Sequence, residues 1–281
     1  MEIIKSKKEM QAKALAWRKD GKSIGFAPTM GYLHAGHLSL FAQARKENDI
    51  VVASIFVNPM QFGPQEDYDA YPRDLERDSR LCAENGVDCL FAPDKAEMYE
   101  ADFATYVQVE GLDNYLCGAS RPGHFRGVTT VVMKLFAICQ PNRTYFGQKD
   151  IQQLTILQRM VGDLDLPLEI RMVPTQREAD GLAISSRNVF LSEAERKQAP
   201  AIYQSLALAQ KLINEGEKDV DIIIEMASNH LHKNAPLGHI DYLQIVDAAK
   251  LDPLLKIEKP LVIATAVKMP GARLIDNIYM K

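Results

Sequence analysis

The sequence lacks any C-x-x-C pair or dense cysteine cluster; its four cysteines stand apart at 82, 89, 117 and 139. That spacing indicates neither a zinc site nor a disulfide framework. No apolar run approaches the roughly 18 residues of a membrane span. The opening MEIIKSKKEMQAKALAWRKDGKS is charged throughout and has no secretory h-region. Long blocks of lysine or arginine are also missing, and the formal net charge is −4. Binding to bulk nucleic acid or to an anionic membrane through a general basic surface is therefore not expected, and any anion has to be held in a local pocket. There is no internal repeat and no low-complexity segment. The expectation is a cytoplasmic, reduced protein with no nucleic-acid or membrane partner.

What is present is an ordinary globular composition, 47% hydrophobic and 25% charged over 281 residues, enough for one large core or two domains. The first two-thirds alternate predicted strands at 24–28, 50–57, 87–92, 144–146 and 168–174 with helical patterns at 36–48, 74–85, 128–139 and 151–163. A run such as V-V-A-S-I-F-V is apolar on both faces, which suits a parallel sheet covered by helices. The repeated β-then-α order predicts an α/β fold with a Rossmann-like, doubly wound parallel sheet. After about residue 176 the texture changes. The polar, glycine-bearing D-G-L-A-I-S-S-R-N precedes a long amphipathic helix predicted over 192–215, with Ser192 and Glu195 as its capping box. A second helix at 219–233 and the strand-like runs I-D-Y-L-Q-I-V-D and L-V-I-A-T-A-V follow. This reads as residues 1–176 forming the Rossmann-like domain and 177–281 a smaller C-terminal α+β lid domain beyond a hinge.

Residues 28–37 read P-T-M-G-Y-L-H-A-G-H, so two of only six histidines flank a glycine directly after the strand I-G-F-A-P. In open α/β sheets ligands bind beyond the carboxyl ends of the strands. His34 and His37, at i and i+3, fall near one another in the first turn of the next helix. That helix start offers unpaired N–H groups and partial positive charge, which suit phosphate. Gly36 removes a side chain where a nucleotide needs close backbone approach. Two plainer readings compete. A zinc site lacks a nearby third ligand, and a pair of structural histidines in a turn is compatible with the spacing alone.

The rest of the chain bears on the choice. H-A-G-H resembles the H-I-G-H-type signature of nucleotidylyltransferases and class I aminoacyl-tRNA synthetases. The surrounding P-T-M-G-Y-L-H-A-G-H-L-S-L resembles the pantothenate synthetase (pantoate–β-alanine ligase) family. So do S-I-F-V-N-P-M-Q-F at 54–62, R-P-G-H-F-R-G-V at 121–128, F-G-Q-K-D-I-Q-Q-L at 146–154 and D-G-L-A-I-S-S-R-N at 180–188. These blocks keep the family's order over about residues 24–190, and the C-terminal third matches less sharply. The resemblance implies an ATP-dependent ligase that joins pantoate to β-alanine through a pantoyl-adenylate, releasing pyrophosphate and AMP. It places ATP and pantoate on residues 1–176 and implies Mg²⁺ with the ATP and a homodimer. No dense carboxylate cage appears, so no metal-ligating residue is assigned, and phosphate oxygens and water are expected to hold most of the Mg²⁺ shell.

By the same resemblance His34 and His37 bind the α- to β-phosphate region, with His37 the proton donor or transition-state stabiliser. Met30, Gly31 and Gly36 accompany them on ATP. Gly147, Gln148, Lys149 and Asp150 also fall on ATP, and Gln148 stands where the family more often has Glu. Lys149, between a strand end and a helix start, reaches the phosphates as a point charge. Asp150 either caps that helix or binds ribose and metal-associated water. Gln176 and Ile184 are placed on ATP as well, and Ser185, Ser186 and Arg187 resemble the mobile phosphate-binding loop that class I synthetases carry as K-M-S-K-S, although only one cation is present. A plain S-S-R-N turn is the alternative.

The resemblance also implies that Gln61 and Gln153, both amides, hold pantoate's hydroxyl and carboxylate groups, with Gln61 also near β-alanine. A cation there would pair with the nucleophilic carboxylate and blunt it. By the same resemblance Asn58 and Tyr71 are expected to orient the intermediate and the amine, with Arg121 beside them. Val128, Val131 and Val132 have the helical spacing of a core face; the resemblance adds that they wall the gem-dimethyl part of pantoate with Pro28, Met30 and Phe146. The polar stretch 62–74 is a lid over the intermediate or a surface loop. Two rivals remain. One is a nucleotidylyltransferase leaving AMP on a phosphorylated acceptor, which needs more cations than a Gln-rich pocket provides. The other is a nucleotide-binding module without catalysis, against which the joint presence of both histidines, Lys149 and Arg187 speaks.

Overall fold

The apolar runs of the first two-thirds pair as a parallel sheet. Its strands are β1 (Glu2–Ile4), β2 (Ile24–Thr29), β3 (Ile50–Ile55), β4 (Cys89–Phe91), β5 (Arg143–Gly147) and β6 (Glu169–Val173), in the order β1-β4-β3-β2-β5-β6. Every neighbouring pair is parallel. The computed structural model describes all residues except Gln65 and Asp67, so the lid-or-loop reading of 62–74 falls partly outside the described residues.

Helices α1 (Lys7–Lys19), α2 (Ala35–Glu47), α3 (Leu75–Glu84), α4 (Lys95–Met98), α5 (Leu116–Ser120), α6 (His124–Cys139) and α7 (Ile151–Asp163) connect the strands. α2 packs on β2, β3 and β5, while α1 packs with α6. Phe41 and Leu33 join Val51, Leu90 and Tyr145 in a buried cluster on this sheet. Residues on β2, β3 and β4 are nearly all buried, the reason these runs are apolar on both faces. From β2 the chain winds outward through β3 and β4, then returns to lay β5 on the other side of β2. The carboxyl ends of β2 and β5 therefore flank the reversal point, where open α/β sheets hold ligands. β1 and α1 were not foreseen: β1 is three residues long, and α1 buries only Met10 and Ala14.

By its contacts the chain divides into two units. The first comprises Met1–Glu110, Arg121–Gly147 and Ile156–Pro174; the second comprises Gly111–Ser120, Gln148–Thr155 and Thr175–Lys281. In the second, β7 (His239–Asp247), β8 (Leu261–Lys268) and β9 (Arg273–Met280) form an antiparallel sheet in that order. Helices α8 (Glu193–Gln198), α9 (Ala201–Asn214) and α10 (Val220–Asn234) complete it. Leu206, Ile223, Ile245 and Ile263 centre its core.

The helix predicted over 192–215 is divided between α8 and α9. Pro200 has no N–H to give the Arg196 carbonyl, so the ladder is interrupted one residue after Ala199 donates to Glu195. The capping box at its start is present, with Ser192 and Glu195 bonded reciprocally. Segment 111–120 joins the second unit through Gln152. The Gln152 Nε2 donates to the carbonyls of Leu112 and Tyr115 at 2.9 Å each, and its Oε1 accepts from Gly118 N–H. Among the described residues no helix is long and apolar enough to cross a membrane.

Candidate active site

Within the first unit, the loop leaving β2 is fixed before α2 begins. Thr29 Oγ1 donates to the Ser54 carbonyl at 2.8 Å and accepts from Gly31 N–H at 3.1 Å. Gly31 has φ +84°, and a Cβ there would lie 3.0 Å from Ile55 Cγ2 and 3.1 Å from an Asp78 oxygen, so the turn requires glycine. Asp78, on α3 and only 1% exposed, accepts the N–H of Tyr32 at 2.6 Å and of Leu33 at 2.8 Å. Burial pushes its carboxyl above the usual range, against the pull of those two N–H groups and of Arg77.

The chain thus arrives at His34 in extended conformation, as the N-cap of α2. Its Nδ1 accepts from Gly36 N–H at 3.2 Å, while His37 Nδ1 accepts from His34 N–H at 3.3 Å. The two rings form a reciprocal cap, with centroids 4.0 Å apart. An imidazole nitrogen that accepts a hydrogen bond carries no proton, so each neutral ring is protonated on Nε2. Two Nε2–H donors at a helix amino end suit a phosphate. The structural reading of H-A-G-H thus describes the Nδ1 atoms, and it leaves the phosphate reading of the same rings open.

A second group in the same unit surrounds Gln61, at the end of the 3-10 turn Pro59–Gln61. Gln61 Nε2 donates to Met30 Sδ at 3.2 Å, and its Oε1 accepts from Asn58 Nδ2 at 3.0 Å. Asn58 is 1% exposed and also donates to the Gly127 carbonyl, while its Oδ1 accepts from Tyr99 and Met60 N–H. Its amide is occupied in aiming Gln61. Gly127 explains the second glycine of R-P-G-H-F-R-G-V: a Cβ there would lie 2.2 Å from the Met60 carbonyl oxygen.

Arg121 makes a two-pronged ion pair with Glu66, both contacts 2.6 Å, and meets His124 Nε2 at 3.0 Å. Burial raises the Glu66 carboxyl, but the Arg121 bonds and charge outweigh it and hold the group below its usual range. Val128, Val131, Val132 and Phe146 are buried, and Pro28 and Met30 half-buried. Tyr71 is buried edge-on to Phe62, and Gly147 closes β5.

The second unit carries the remaining candidates. Gln148, Lys149 and Asp150 form a 3-10 turn before α7, with Lys149 half-buried and Asp150 exposed. Asn277 on β9 donates to the carbonyls of Gln148 and Lys149, each at 2.9 Å. Its neighbour Asp276 holds Arg177 through contacts of 2.5 and 2.9 Å. The Gln176 carbonyl accepts from Ile184 N–H at 3.0 Å, across a hairpin that Arg177 and Ala183 also bridge. Ser185 then caps the turn Ser186–Phe190 by accepting from Arg187 N–H at 3.3 Å. Ser186 is buried, and Ile184, Arg187 and Gln153 are half-buried.

Sequence reasoning missed Asp78, Glu66, Tyr99, Asn277, Asp276 and Arg177. Asp78 sits in the helical pattern L-E-R-D-S-R, where an acid reads as solvated; its partners lie 45 and 46 residues away. Asn277 and Asp276 lie in the region where the resemblance fades. The one signal available was polarity inside the otherwise strand-like R-L-I-D-N-I-Y-M. Among the described residues no group of three His, Cys, Asp or Glu side chains is placed to hold a metal ion.

The family model described as Pantoate-beta-alanine ligase matches residues 2–279. Pantothenate synthetase of Thermotoga petrophila is 54% identical over 280 residues, covering 100% of both chains. That of Moorella thermoacetica is 53% identical, covering 100% of this chain and 99% of its own. The crystal structure of pantothenate synthetase from Thermus thermophilus superposes with a TM-score of 0.93 at 49% identity, over 99% of each chain. The pantoate-beta-alanine ligase of Francisella tularensis, complexed with beta-gamma ATP and beta-alanine, superposes with a TM-score of 0.81 at 34% identity, over 99% of this chain and 97% of its own.

Proposed function

The chain belongs to the pantoate–β-alanine ligase family, and from that premise we propose that it condenses pantoate with β-alanine using ATP, through a pantoyl-adenylate. In the first step a pantoate carboxylate oxygen attacks the α-phosphorus of ATP, and pyrophosphate leaves with the electron pair of the broken P–O bond. In the second the β-alanine amine attacks the acyl carbon, the bond to AMP breaks, and the nitrogen gives up a proton. The ligands of the Francisella enzyme, beta-gamma ATP and beta-alanine, support this assignment of substrates.

The observation that carries the reading is the histidine pair: two imidazoles capping the amino end of α2 through Nδ1, immediately past the carboxyl end of β2. In this assignment His34 and His37 hold the α- to β-phosphate region, and His37 stabilises charge building on the departing pyrophosphate. Met30, Gly31 and Gly36 line the nucleotide. The Lys149 ammonium and Arg187 guanidinium offset phosphate charge, with Gly147, Gln148, Asp150, Gln176, Ile184, Ser185 and Ser186 as further ATP contacts.

Gln61 and Gln153 take pantoate's polar groups without pairing its nucleophile, and Asn58 serves by aiming Gln61. Val128, Val131, Val132, Pro28, Met30 and Phe146 wall the dimethyl group; Tyr71 and Arg121 orient the intermediate and the amine. Mg²⁺ bound with ATP would neutralise phosphate charge, and Asp150, exposed beside Lys149, would be the carboxylate to hold its water. Residues 177–281 are assigned the part of a lid. Four free, buried cysteines fit a reducing cytoplasm. A homodimer would sediment at about twice the 31.5 kDa chain mass.

The deciding experiment is isotope exchange between pyrophosphate and ATP, run with and without pantoate, beside AMP release that requires β-alanine as well. Exchange that depends on a phosphate ester instead would assign a nucleotidylyltransferase. ATP binding with no turnover on any acceptor would assign a non-catalytic module.

A further inference from the structure

We propose that Asn277 is a positioning residue for Lys149 in the adenylate-forming step; the inference rests on the reading of Lys149 as a phosphate-binding group. Lys149 sits on a three-residue 3-10 turn, too short to hold itself by its own ladder. The Gln148 and Lys149 carbonyls are instead met by one side-chain nitrogen, Asn277 Nδ2, at 2.9 Å each. The Asn277 Oδ1 also accepts from Gln148 Nε2 at 3.4 Å. One carboxamide thus anchors the turn at three points.

Asn277 is itself immobilised. It is 2% exposed and pairs with Ala264 in the β8–β9 ladder. Its N–H donates to Asp276 Oδ1 at 2.8 Å. Asp276 grips Arg177 with both oxygens, and the Arg177 guanidinium lies 3.8 Å over the Tyr203 ring. The charge on Lys149 is felt at Asp276, whose carboxyl is raised by burial and pulled down by Arg177 and, more weakly, by Lys149. One dipeptide of β9 therefore fixes both the Lys149 turn and the base of the hairpin leading to Ser185 and Arg187.

The geometry also specifies the residue type. Two carbonyl acceptors served by one nitrogen require a primary amide at this reach. Aspartate would set acceptors against acceptors, serine and histidine would each bring a single donor, and alanine would bring none. A reacting group displaced by about 1 Å loses on the order of a hundredfold in rate.

The test compares the two half-reactions in full-length Asn277→Ala, Asn277→Asp and Lys149→Ala enzymes. Pantoate-dependent pyrophosphate–ATP exchange should fall at least about tenfold in both Asn277 variants. Aminolysis of supplied pantoyl-adenylate, which involves no triphosphate, should stay within about threefold of the parent and shows that the variants are folded. The double variant Asn277→Ala with Lys149→Ala should lose no more exchange than Lys149→Ala alone, since coupled residues are non-additive. Equal losses in both half-reactions would assign Asn277 a merely structural role and overturn the proposal. Normal exchange in both Asn277 variants beside a crippled Lys149→Ala would overturn the proposal alone. Normal exchange in Lys149→Ala would overturn the Lys149 reading and the proposal with it.

Discussion

His34 Nδ1 accepts the Gly36 N–H that opens α2, so substitution at this position separates scaffold from chemistry. His34→Ala removes a helix cap and should lower unfolding free energy by about 1 kcal/mol in urea titrations. His34→Asn, a strong N-cap, should recover most of that stability and none of the pyrophosphate exchange. His37→Ala should lower kcat/KM by about a hundredfold with the far-ultraviolet spectrum unchanged; activity within about threefold of the parent would refute its role. Asp78→Ala leaves the N–H groups of Tyr32 and Leu33 without their acceptor, a loss of roughly 2–3 kcal/mol. Because burial raises the Asp78 carboxyl, the folded chain takes up this proton before the unfolded chain does as pH falls. Stability relative to a non-titrating Asp78→Asn variant should therefore rise as pH drops from neutral toward about 4. The imidazole pair was legible from H-A-G-H because its partners are local. Asp78 was not, since its role depends on N–H groups contributed from a distant loop.

At the scale of elements, Gly127 lets α6 approach the Pro59–Gln61 turn. Gly127→Ala would set a Cβ 2.2 Å from the Met60 carbonyl oxygen, so the turn has to move. The expected result is a loss of about 1–3 kcal/mol and, because Gln61 rides on that turn, a raised KM for pantoate. In the second unit the β7–β8 register shifts between Ile240 and Tyr242, making Asp241 the bulged residue. Asp241 accepts from Lys268 on β8 at 2.5 Å and from Arg273 on β9 at 2.8 and 3.0 Å. Burial pushes its carboxyl up, but these two cations prevail and hold it low. Its contribution, on the order of 1 kcal/mol given the half-exposed lysine, is present above pH about 4 and lost as pH falls through the depressed value. An Asp241→Asn comparison across that range measures it. The inner strands β2 to β4 were readable because burial on both faces writes an unbroken apolar run. β9 was not read, because Arg273, Asp276 and Asn277 interrupt its pattern to serve polar networks. Pro200 marked the break between α8 and α9 in plain view, and the amphipathic periodicity running through it masked it.

For the whole molecule, ligand binding and folding are linked. ATP at about a hundred times its dissociation constant should add roughly 2.7 kcal/mol to unfolding, read as a rise in Tm, and the rise should shrink in Lys149→Ala. No shift in the parent protein would count against the ATP assignment. Segments that leave one unit and return, as 111–120 and 148–155 do, leave no trace in composition. They are held by single side chains such as Gln152 and Asn277, whose partners only the folded chain reveals. The placement of Asn277 also bears on how the protein is made. During translation every residue of the parallel sheet has been polymerised long before β9 leaves the ribosome, and until it does the carbonyls around Lys149 wait for their amide. A stop codon shortly after Lys268 would leave a polypeptide containing each proposed ATP contact, yet without the amide that holds the Gln148 and Lys149 carbonyls.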